Sequence, residues 1–168
     1  MNKITKEELV KLLVANFKDE NGWLDLSKLD FKQEDIKGVD ISGMKVEGFL
    51  NQHLQEVGRD LHQACQKVKG NLHQDFQKVE GYLYQGRQEV EKTLYQDRQK
   101  VKMNLNQDNQ TVGLFLSQGC QTVGRSLSQD YQKVEGNLHQ ARQRVKGDLD
   151  QREQNVEGNL YENEIPSN

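Results

Sequence analysis

Apolar positions return along this chain at a fixed interval of eleven. Val occupies one column without a gap, from Val46, Val57 and Val68 through Val145 to Val156, and a Leu follows each Val four residues later, from Leu50 to Leu160. Two polar columns are as regular, one running from Gln52 to Gln151 and another three residues on from Gln55 to Gln154. The unit is V-x-x-x-L-x-Q-x-x-Q-x, and a fixed period of this kind marks a repeat architecture in which each unit leans on its neighbours. Between the fixed columns the residues vary among Asp, Arg, Tyr, His, Ser and Asn, so the four constant columns answer a structural demand.

Two other patterns precede the array. Thr5-Lys6-Glu7-Glu8 fits a capping box, Ile4 and Leu9 are placed for a hydrophobic staple, and Leu9, Val10, Leu12, Leu13, Val14 and Phe17 supply an apolar face. They predict a helix over residues 6–17, ended by Asp19-Glu20-Asn21-Gly22. Its expected role is to cover the naked end of a repeat stack. From Leu24 the period becomes five: LDLSK, LDFKQ, EDIKG, VDISG, MKVEG, with Leu26, Phe31, Ile36, Ile41 and Val46 at the centres and Asp25, Asp30, Asp35 and Asp40 before four of them. The expected organisation is a capping helix in residues 1–22, pentapeptide-like coils in 23–48, tandem 11-residue repeats in 46–162 and a polar tail in 163–168.

The five-residue pattern resembles the pentapeptide-repeat family, with Leu24, Leu29, Val39 and Met44 two positions before the centres as that family has it and Glu34 departing from it. The resemblance implies a right-handed, four-sided parallel β-helix. The 11-residue unit follows the same rule as a five plus a six: Gly70-Asn71-Leu72-His73-Gln74 centred on Leu72, then Asp75-Phe76-Gln77-Lys78-Val79-Glu80 centred on Val79. Two units, 22 residues, then close one coil. The position two before Leu, often Gly, holds Arg59, Lys92, Met103, Leu114 and Arg125 elsewhere, so it is expected to face outward or sit at a corner.

An 11-residue apolar repeat is also the signature of a right-handed α-helical coiled coil. Three features weigh against that alternative. The next stripe position carries Asp75, Asp97, Asp108, Asp130 and Arg152, Gly recurs inside the would-be helix at about 1 kcal/mol each, and the Gln columns would lie far from the seam. In a β-solenoid the Gln residues can instead stack into hydrogen-bonded ladders.

Composition narrows function. A net charge of -3 and a sequence pI near 5.8 give no basic stripe for nucleic acid and no polybasic membrane patch, so neither direct nucleic-acid binding nor a membrane partner is expected. No apolar run approaches a membrane span, and the start lacks the apolar core of a signal peptide, which makes the cytoplasm the expected location. His53, His62, His73 and His139 lie in variable columns without metal-ligand spacing, and Cys65 and Cys120 share a repeat position 55 residues apart, two and a half coils, too far to bond. Neither a nucleophile-base arrangement nor a phosphate-cradling loop is present, so a non-enzymatic chain without cofactor is expected.

The remaining chemistry is in the variable columns. Phe76, Arg87, Arg98, Tyr131 and Arg142 share one, and Tyr84 and Tyr95 another, and aromatic and Arg side chains are the usual anchors of protein interfaces. They are the candidate partner-binding residues. The resemblance implies a phage or mobile-element inhibitor of a bacterial nucleic-acid-acting enzyme, because some proteins of that kind mimic duplex DNA; anti-restriction and anti-CRISPR roles belong to the same class. The alternative is a structural module that self-associates as a dimer or short fibre.

Overall fold

A computed structural model describes residues 24–25, 39–46 and 48–162. They form a parallel β-solenoid of two- to four-residue strands gathered into four parallel sheets of seven, six, six and five strands. No helix occurs among the described residues, which excludes the coiled coil for the array, while the helix expected over residues 6–17 lies outside them.

One coil illustrates the whole. Leu72–His73 lies on the first face, Lys78–Val79 on the second, Leu83–Tyr84 on the third and Glu89–Val90 on the fourth, after which Thr93–Tyr95 returns to the first face one coil higher. Leu72 pairs in register with Leu50 below and Leu94 above, and Val79 with Val57 and Val101. Identical columns therefore stack at the strand spacing of about 4.8 Å. Leu lines the first and third faces from inside and Val the second and fourth, and both columns are almost wholly buried until the last coil.

The two Gln columns also point inward. Gln74 Nε2 donates to Gln52 Oε1 one coil below at 2.9 Å and to Gln66 Oε1, at the opposite corner, at 3.2 Å. Gln77 Nε2 donates to Gln55 Oε1 at 3.1 Å and to the main-chain oxygen of Gln52 at 2.8 Å. Glutamine suits this position because one side chain carries both a donor and an acceptor on a stem long enough to reach the lumen. A buried amide is costly only when unpaired, and here each coil supplies the next with its partners. The interior is thus half aliphatic and half amide. Where the ladder stops, Gln140 Oε1 is left without a partner, because the position one coil on is Glu162, which has no amide to donate.

Between the two Gln columns the chain turns a corner, and the second corner residue always has positive φ. Ten residues from Leu54 to Glu153 have φ between 53° and 57°, and none is Gly. Left-handed backbone costs a non-Gly residue about 1 kcal/mol. The stack offsets this by bonding the same residues: Phe76 N–H donates to Asp97 O at 2.9 Å and Arg98 N–H to Gly119 O at 2.8 Å. The other two corners carry the often-Gly position before Leu, where Arg59, Lys92, Leu114 and Arg125 are exposed as expected. Gly70 is a tight point there, since a Cβ would lie 2.5 Å from the carbonyl oxygen of Gly48.

Candidate functional site

Because eleven residues are half a coil, the column holding the interface candidates does not form one face. Phe76, Arg98 and Arg142 stand at the corner between the first and second faces, together with Leu54 and Cys120; Arg87 and Tyr131 stand at the diagonally opposite corner, with Cys65, Asn109 and Glu153. Tyr95 belongs with the first group, on the outside of the first face, and Tyr84 with the second, on the third face. The single column expected from the sequence is thus two clusters on opposite sides of the rod.

The first cluster is the better organised. The Arg98 guanidinium lies 5.1 Å from the centre of the Phe76 ring, the pairing of a cation with a ring face. Tyr95 stacks on His73 at 4.6 Å and meets Phe115 edge-on at 6.3 Å. Burial against this stack lowers the pKa of His73, with His53 adding to the effect. Leu54 and Phe76 remain 59% and 46% exposed, so this side carries apolar surface with an Arg at its centre. His73, placed by the sequence in a variable column but not among the binding candidates, joins the cluster, as does Phe115, which holds a position otherwise filled mainly by polar residues.

In the second cluster Tyr84 stacks on His62 at 4.6 Å and on Tyr82 at 6.0 Å. Tyr84 and Arg87 line an open groove of about 300 Å³ with Cys65, Gly86, Asp108 and Asn109. Cys65 and Cys120 are both exposed free thiols, on opposed corners as their spacing required.

The corner carboxylates serve the backbone. Asp75 accepts the N–H of Asp97 at 2.8 Å, Asp97 accepts that of Gly119 at 2.5 Å and the Ser117 hydroxyl, and Asp108 accepts that of Asp130 at 2.9 Å. Each caps the same position one coil higher. Burial raises the Asp75 carboxyl to about 6, with the Asp97 N–H opposing the rise. Among the described residues no three His, Cys, Asp or Glu converge in a metal-binding arrangement, and no helix is long and apolar enough to cross a membrane.

Compared with protein-family models, curated proteins and solved structures, the chain matches none. The pentapeptide-repeat likeness therefore rests on the residues that carry it, with a four-faced solenoid that is compatible with it.

Proposed function

We propose that this chain is a non-enzymatic scaffold that binds a protein partner, a nucleic-acid-acting bacterial enzyme, and inhibits it. The observation that carries the reading is the cluster of Phe76, Arg98 and Tyr95 on one side of a rigid rod: exposed aromatic surface centred on an Arg, held without the ordering cost of a flexible loop. The target class comes from the family resemblance. Affinity capture from a bacterial lysate with the wild-type chain and with Phe76→Ala/Arg98→Glu, followed by an activity assay of the captured enzyme, tests it. The expected result is an enzyme retained by the wild type, inhibited by it, and lost with the double variant. Capture unaffected by the double variant discards this cluster.

The last coil favours self-association as a second reading. Leu149 and Leu160, whose equivalents one coil below are buried, are 43% and 46% exposed. Light scattering coupled to size exclusion separates a monomer from the end-to-end dimer this reading expects, and Leu149→Arg/Leu160→Arg should dissociate that dimer.

A further inference from the structure

The balanced charge of the sequence conceals a strongly unbalanced face. The columns flanking Val alternate between the second and fourth faces, so acidic and basic residues that intermingle along the chain are sorted by the coil. On the second face the outward positions are Lys78, Lys100, Lys102, Arg144 and Lys146, with Glu56 and Glu80 as the only carboxylates and Thr122 the remaining non-Gly residue. Arg59 and Arg125 extend it at one corner and Arg98 and Arg142 at the other, and all nine cations are exposed. Glu56 and Glu80 are matched by Lys78 and Lys102. The other seven cations have no ion-pair partner among the described residues. At the margins Asp75 and Asp97 are turned onto the backbone N–H groups described above, Asp60 likewise accepts the N–H of Tyr82, and Asp148 alone stands exposed, two residues after Lys146.

The fourth face shows what a merely solvated face of this rod looks like. There Lys67 stands in register with Glu89 and pairs with it at 2.7 Å, Lys133 pairs with Glu135, and Glu91 and Glu157 add to the balance. Each face has one opposite-charge register pair, Glu56 with Lys78 on the second and Lys67 with Glu89 on the fourth, and one like pair, Lys78 with Lys100 and Lys45 with Lys67; what separates them is the sum, five cations to two carboxylates beside Val on the second face against four to four among the described residues of the fourth.

We infer that the second face binds the phosphodiester backbone of duplex nucleic acid without reading its sequence. The cations form two columns about 6.5 Å apart, rising by about 4.8 Å per coil, on a flat sheet that spans roughly 20 Å. Duplex DNA presents a charge every 3.4 Å or so along each strand, so a face of that height meets several phosphates at once. The two columns carry no aromatic ring on which an unpaired base could stack, which favours a duplex over a single strand. The inference does not depend on the protein partner proposed above: the two surfaces share the corner that holds Arg98 and Arg142, but the substitutions that test this one, at Lys100, Arg144 and Lys146, leave that corner unchanged, so either can fail alone.

The test is fluorescence anisotropy of a labelled 20-base-pair duplex titrated with the full chain at 50 mM NaCl and at rising salt. Binding is expected, weakening with a log–log salt slope of about -4 or steeper, as for at least four displaced counterions. Lys100→Glu/Arg144→Glu/Lys146→Glu should weaken it at least thirtyfold, while Lys45→Glu/Lys67→Glu/Lys133→Glu, the same charge change on the fourth face, should alter it less than threefold. Circular dichroism of both variants confirms that the solenoid is intact. No anisotropy change at 50 mM NaCl, equal losses in the two triple variants, tighter binding of a single strand of the same length, or binding to phosphatidylserine vesicles without binding to the duplex would each overturn the assignment.

Discussion

The side-chain amide of Gln118 donates to the amide oxygen of Gln96, one coil below it, at 3.1 Å. Gln96 in turn donates to Gln74 at 3.0 Å and to Gln88 across the lumen at 3.1 Å. Gln88 Oε1 also receives Gln110 Nε2, and Gln118 Nε2 also reaches Gln110 Oε1, so these two groups have second partners. Gln74 Oε1 has only Gln96.

Gln96→Leu should therefore leave the Gln74 oxygen buried and unpaired while breaking two further bonds. An unsatisfied buried group costs about 1–3 kcal/mol, and the total expected is about 3 kcal/mol in urea unfolding. Lys133→Gln on the exposed surface, by comparison, should change stability by less than about 0.5 kcal/mol. A Gln96→Leu protein as stable as the wild type would show that the amide ladder is dispensable.

The left-handed corners give a prediction of opposite sign. Arg87 has φ of 56°, where a Cβ is unfavourable. Arg87→Gly should raise the unfolding free energy by about 0.5–1 kcal/mol, the relieved backbone strain outweighing the greater freedom of the unfolded chain. Arg87→Val should lower it by about 1–2 kcal/mol, because a branched Cβ fits left-handed backbone worst. Denaturant midpoints of the pair check both directions.

Asp75 couples stability to pH. Its carboxyl is raised to about 6 chiefly by burial, against about 3.9 in an unfolded chain. Between those values the folded state binds more protons than the unfolded state, so this group's contribution makes stability fall as pH rises from about 4 to 6, with no further change above. Asp75→Asn keeps an oxygen for the Asp97 N–H and removes the charge. The variant should match the wild type near pH 3.5 and exceed it by about 1 kcal/mol at pH 7, less than the full shift because the carboxyl is partly solvated. Urea midpoints across that range decide it, and a difference independent of pH would contradict the linkage.

How far these features were legible differs from residue to residue. The strands at Leu72 and Val79, the five-plus-six division and the paired Gln columns follow from periodicity, because only an inward position tolerates so little variation. The left-handed corners carried no such mark: Leu54, Cys65, Phe76 and Tyr131 are not the residues that ordinarily announce positive φ, and the conformation is imposed by bonds to the next coil. The candidate cluster was half legible. Phe76 and Arg98 meet as their column suggested, but Arg87 is carried to the far side by the half-coil step. The basic face was hidden by the same step, since Lys78 and Lys100 flank Glu89 in the sequence while Glu89 stands opposite them in space. Sorting alternate units would have revealed it.

The half-coil unit also dictates how this chain can lengthen or shorten. Inserting or deleting 22 residues leaves every downstream side chain on the face it had. Inserting or deleting 11 keeps the sequence motif and the inward columns unbroken, yet rotates everything beyond the junction by half a turn about the rod, exchanging the second face with the fourth and each left-handed corner with its diagonal opposite. A single-unit duplication is therefore silent to the core and drastic for the surface, whereas a double-unit duplication merely extends whatever pattern was already displayed.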